Sequence, residues 1–130
     1  MPKVKYSPGQ GLITLPGTGF VVAGTPIRED IETIAPENAG TATLRNYGIT
    51  SLDTTAGASG NLTLPDGSVL GQLKTIVLTT DGGDATVEVT NHVDGGGGNS
   101  FVGADAGDFL VFIWNGTKWD TVKNTGWTVS

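Results

Sequence analysis

The sequence predicts an all-β protein, an antiparallel β-sandwich preceded by an extended N-terminal arm, and three observations carry that prediction. Glycine fills 21 of 130 positions, about twice the usual share, which calls for many tight turns and short strands. From residue 48 onward, short runs of β-branched and aromatic residues alternate with clusters of Gly, Asn and Asp at the spacing of sandwiches and barrels. Pro2, Pro8, Pro16, Pro26 and Pro36 crowd the first 40 residues and only Pro65 lies beyond. The domain boundary is therefore placed at Gly40, with residues 1–40 as a proline-rich arm and 41–130 as the sandwich.

Within the arm, Leu12 to Leu15 and Phe20 to Ala23 have the composition of short strands, which proline restricts to edges or to pairings with other chains. A segment with helical spacing follows: Thr25 as N-cap, Pro26 at the first position, Ile27, Ile31 and Ile34 on one face, and Pro36 as the stop. This predicts two helical turns, although isoleucine loses rotamer freedom in a helix.

The strands expected in the second part are Gly48 to Thr55, Asn61 to Leu64, Gln72 to Thr80, Ala85 to Asn91, Asn99 to Val102, Asp108 to Trp114, Thr117 to Lys123 and Trp127 to Val129. Asn115-Gly116 is the sharpest local signal, because a two-residue type I′ turn needs positive φ at both positions and Asn-Gly supplies it. That turn pairs Trp114 with Thr117 and Phe112 with Trp119. Leu110, Phe112, Trp114 and Trp119 then share one face, and Phe109, Val111, Ile113 and Val122 the other.

Phe109 to Trp114 is apolar at six consecutive positions, whereas a strand with one wet face alternates, as Ala85, Val87 and Val89 do with Thr86, Glu88 and Thr90. Both faces of the 109–114 strand must therefore be covered, one by the core and the other by the arm or by another subunit. Phe109, Val111, Ile113 and Val122 are the candidate subunit interface, joined by Ile76 and Leu78 from the contiguous run Leu73 to Leu78.

Chemistry-bearing clusters are sparse. The chain has no cysteine and a single histidine, which gives neither a thiolate nor a nitrogen/sulfur metal site, and His92 alone does not make a nucleophile–base pair. Asp81-Gly-Gly-Asp84 and Asp105-Ala-Gly-Asp108 have oxygen ligands for calcium but are better explained as turns. The run Gly95 to Gly98 lacks the flanking strand, helix and lysine of a phosphate loop. The expectation is no catalytic residue, no cofactor and no metal. A formal charge of −6 argues against nucleic acid as a partner, and no apolar run suits a signal peptide or a membrane span.

Leu62-Thr63-Leu64-Pro65-Asp66-Gly67, Gly71-Gln72-Leu73-Lys74-Thr75-Ile76, Asp81-Gly82-Gly83-Asp84-Ala85-Thr86-Val87, and Ala106-Gly107-Asp108 leading to Trp114-Asn115-Gly116-Thr117-Lys118-Trp119 resemble, in this order, small structural proteins of tailed-bacteriophage particles. They resemble especially the capsid decoration, or cement, proteins and related head-fibre or tail-fibre β-domains. The resemblance implies a jelly-roll or Greek-key sandwich, commonly a homotrimer, on the outer surface of a virion assembled in the host cytoplasm, with the major capsid protein as partner. The alternative is a fibre or host-attachment domain that binds surface glycans, with Trp127, Tyr47 and the Gly95 to Gly98 loop as contacts.

Overall fold

The structure is a computed structural model that describes residues 4–7, 11–14, 30–92 and 99–130. Every regular element among them is a strand. β1 (Val4–Ser7) and β2 (Gly11–Thr14) form an antiparallel hairpin of their own. The other strands are β3 (Ile31–Ile34), β4 (Ala42–Thr43), β5 (Gly48–Asp53), β6 (Asn61–Leu64), β7 (Leu73–Thr80), β8 (Ala85–Val89), β9 (Ser100–Gly103), β10 (Phe109–Trp114), β11 (Trp119–Thr125) and β12 (Thr128–Val129). They build two five-stranded sheets, ordered β11-β10-β7-β5-β3 and β12-β9-β8-β6-β4.

The wiring differs from the antiparallel sandwich expected. From β3 to β8 the chain crosses to the other sheet at every connection, so it re-enters each sheet running in its earlier direction. β3, β5 and β7 are consequently parallel, as are β4, β6 and β8. The chain reverses only after β8, and β9 to β12 add the antiparallel pairings. Four of the eight pairings in the two sheets are thus parallel, which gives three stacked coils closed by antiparallel strands. The coils lock at their turns, where Ala39 N–H donates to Ala58 O at 2.7 Å and Ser59 N–H to Asp84 O at 2.9 Å.

One core joins the two sheets. Leu52, Ile76, Leu78, Leu110 and Phe112 from the first sheet meet Leu62, Leu64, Val87 and Phe101 from the second, all fully buried or nearly so. Trp114 and Trp119 close it with ring centroids 5.2 Å apart and planes at 64°, the edge-to-face arrangement that ring quadrupoles favour. Gly67 makes room for this pair, since a Cβ there would lie 2.3 Å from Trp114 Cγ.

Two local expectations are corrected. Residues 31–34 form a strand in place of the helix expected across Thr25 to Pro36, because β5 offers Ile31, Thr33 and Ile34 an extended ladder that suits β-branched side chains; residues 25–29 lie outside the described residues, as do Phe20 to Ala23. β3 also places sheet residues ahead of the expected boundary at Gly40. In the β10–β11 hairpin, Trp114 pairs with Trp119 and Phe112 with Thr121, so the loop spans 115–118 and is not a two-residue turn. Asn115 Oδ1 accepts from Thr117 N at 3.0 Å and Lys118 N at 2.9 Å, an arrangement that needs positive φ at Gly116 alone. Up to the Phe112–Thr121 pair the register moved by two residues, an even shift that keeps each side chain on its face; beyond the bulge it moved by three, which sets Lys123 opposite Val111.

Candidate self-association face

Strand parity and register decide which side chains cover the outside of the first sheet. Val111 stands opposite Thr75, Thr75 opposite Ile49 and Ile49 opposite Ile31, so one row crosses four strands. A second row runs through Phe109, Val77, Ser51 and Thr33, and a third pairs Ile113 with Leu73. Paired residues point to the same side of a sheet. This outer face is therefore apolar or hydroxyl-bearing through its middle, with its charges at the rim: Asp120 and Lys123 on edge strand β11 and Asp53 at the end of β5.

The face is open to solvent to different depths. Phe109, Val111, Ile113, Ile49 and Val77 are half-buried by their neighbours, while Ile31 is 60% and Leu73 53% exposed. Val69 and Leu70, at 66% and 73%, extend the apolar surface into the loop before β7, which is held beside the end of β10 by a bond from Gly71 N–H to Trp114 O at 2.8 Å. Contiguous exposed apolar surface of this kind is what association sites present.

Of the six residues expected at an interface, Phe109, Val111 and Ile113 lie together on this face. Val122 is 58% exposed on β11 and is the extra residue of a bulge, since Phe112 pairs with Thr121 and Val111 with Lys123. Ile76 and Leu78 are corrected: both are 0% exposed, because β7 turns them toward the core and turns Leu73, Thr75 and Val77 outward. Ile31 and Ile49 were missed, since their place in the row that runs through Thr75 to Val111 depends on parallel pairings that no local pattern announces.

Behind the face, at the end of the core near Tyr47, lies a buried ionic cluster. Lys74 Nζ, on a fully buried side chain, sits 3.3 Å from Glu32 Oε1 and 3.1 Å from Tyr47 O, and also donates to Thr50 Oγ1. Glu32 accepts in addition from Thr50 Oγ1 and from Arg45 N at 2.8 Å, and Arg45 Nη1 pairs with Asp30 Oδ2 at 2.7 Å. Burial pushes the Glu32 carboxyl up, but the bonds from Thr50 and Arg45 and the charge of Lys74 outweigh it and hold it below its ordinary value. Burial pushes Lys74 down, and Glu32 offsets this only in part. Parity announces this lysine, which shares the inward face of β7 with Ile76 and Leu78; its acidic partner comes from a strand 42 residues earlier.

The remaining polar candidates serve the fold. His92 shares a 2.8 Å hydrogen bond with Thr121 Oγ1 and sets its ring edge-on to Phe101 at 5.0 Å. Asp81 Oδ1 accepts from Gly83 N, and Asp108 Oδ2 from Ala104 N and Asp105 N, so both acidic loops are closed by their own carboxylates. Trp127, expected as an exposed glycan contact, is 5% exposed and lies against Gly103; Tyr47 is 49% exposed, and Gly95 to Gly98 lie outside the described residues.

No protein-family model and no curated protein matches the chain.

Proposed function

We propose that the chain is a noncatalytic virion structural subunit, a capsid decoration protein that self-associates, as a homotrimer, on the outer capsid surface and stabilises the coat lattice. The observation that supports this reading is the outer face of the first sheet, whose middle carries no charge although the chain carries −6. Its inner face already packs against the second sheet, and the apolar side chains left half-buried on the outside are explained by a second apolar layer. In this reading the arm expected over residues 1–40, which joins the first sheet through β3, reaches the major capsid protein. A cement acts by mass action: it binds the assembled lattice in preference to free coat subunits and shifts the equilibrium toward the particle, and many weak contacts on a lattice add by avidity.

Sedimentation velocity over a wide concentration range, together with addition of the protein to undecorated capsids, tests the proposal. A trimer that binds and raises the temperature of particle disruption supports it. A monomer at every concentration that leaves the capsids unchanged overturns it.

A further inference from the structure

Among the strands of its sheet, β3 is the one that brings no fully buried apolar side chain to the core. Ile31 is exposed and Ile34 only partly buried. One flank pairs with β5 and the other pairs with no strand among the described residues. What β3 inserts beside the buried ammonium of Lys74 is the carboxylate of Glu32.

We propose that this cluster is an acid-operated latch: protonation of Glu32 frees Ile31–Ile34 from β5 while the rest of the sheet stays folded. The argument rests on the groups that face Glu32. From β7 comes Lys74 and from the β4–β5 connection Arg45, both donors without an acceptor; from β5 comes the Thr50 hydroxyl. Tyr47 contributes its carbonyl to Lys74 and its ring to Arg45, 6.0 Å from the centroid. Asp30, the other acid present, is already paired with Arg45 and its side chain is 62% exposed. A neutral Glu32 therefore leaves the Lys74 charge in the core with only a hydroxyl and a carbonyl for company, and adds a donor where donors already converge. Detaching β3 brings water to Lys74 and removes the conflict. It also bares the edge of β5.

Backbone amide exchange across a pH series, corrected for intrinsic rates, tests the latch. The reporters are the amides of Glu32 and Ile34, the alternate residues of β3 turned toward β5, and that of Ile49, which donates to Asp30 O at 2.9 Å; Leu110 and Phe112 report on the core. The expected result is that the opening constant of β3 rises as pH falls from the ordinary carboxylate range toward the folded pKa of Glu32, no more steeply than the roughly tenfold per pH unit of a single proton, and levels off below it, while β10 stays protected. Asp30→Asn should leave this dependence in place. Glu32→Gln should open β3 at neutral pH; should that variant fail to fold, Lys74→Met, which removes the buried charge and keeps a long stem, should hold β3 closed and flatten its pH dependence. Protection of β3 that ignores pH, that is lost only together with β10, or that keeps the wild-type pH dependence in Lys74→Met overturns the proposal.

Discussion

At the scale of single residues, the interior tolerates little change where a tryptophan rests on glycine, as Trp114 does on Gly67 and Trp127 on Gly103. Gly67→Ala would place a methyl 2.3 Å from Trp114 Cγ, an overlap that the Trp114–Trp119 pair can relieve only by moving. The expected loss is about 1–3 kcal/mol of unfolding free energy by urea titration. Phe112→Ala removes a ring enclosed by Phe101 and Trp119 and should cost about 3–5 kcal/mol. Val111→Asp acts elsewhere, since Val111 faces outward from the middle of the sheet; fold stability should change by about 1 kcal/mol or less, whereas self-association by sedimentation should be lost.

At the scale of elements, the β10–β11 hairpin depends on one side chain. Asn115 Oδ1 caps the backbone of Thr117 and Lys118, so Asn115→Ala should lower stability by about 1 kcal/mol and speed amide exchange at Thr117 and Lys118 selectively. Most of β5 to β12 is legible in the sequence because alternation, Gly-Asn-Asp punctuation and the six-residue apolar run of β10 are local signals. The faces of β10 follow from them. β3 was hidden for a physical reason: isoleucines at 27, 31 and 34 satisfy helical spacing, and only a ladder to Ile49, Thr50, Ser51 and Leu52 decides for the strand. The same non-local pairing hid Ile31 and Ile49 on the outer face and placed Ile76 and Leu78 on the wrong side of β7. The Asn115 loop was mistaken in length because Asn-Gly suits both a two-residue turn and a loop closed by the asparagine side chain.

At the scale of the whole molecule, charge and acidity give two further tests. Copies with a charge of −6 repel one another, and in the proposed assembly they meet through the uncharged middle of the outer face; raising ionic strength should screen the repulsion and strengthen that association. Glu32 has a folded pKa below its unfolded value, so the stability it contributes is present above the ordinary carboxylate range and is lost as pH falls through the folded value. Wild-type stability should fall across that acidic window, and Glu32→Gln should fall less steeply; equal slopes would remove Glu32 from the account.

The parallel coils have a consequence for how the chain reaches this structure. β5 cannot meet β7 until the intervening turn and the strand β6 have crossed to the other sheet and returned, so the loop entropy is spent before any parallel bond forms. The β10–β11 hairpin closes locally and needs no such detour. Refolding should therefore be paced by stacking of the coils, on the slow side for a chain of this length, and the characteristic error should be a coil laid one register out, with Lys74 facing the wrong neighbour.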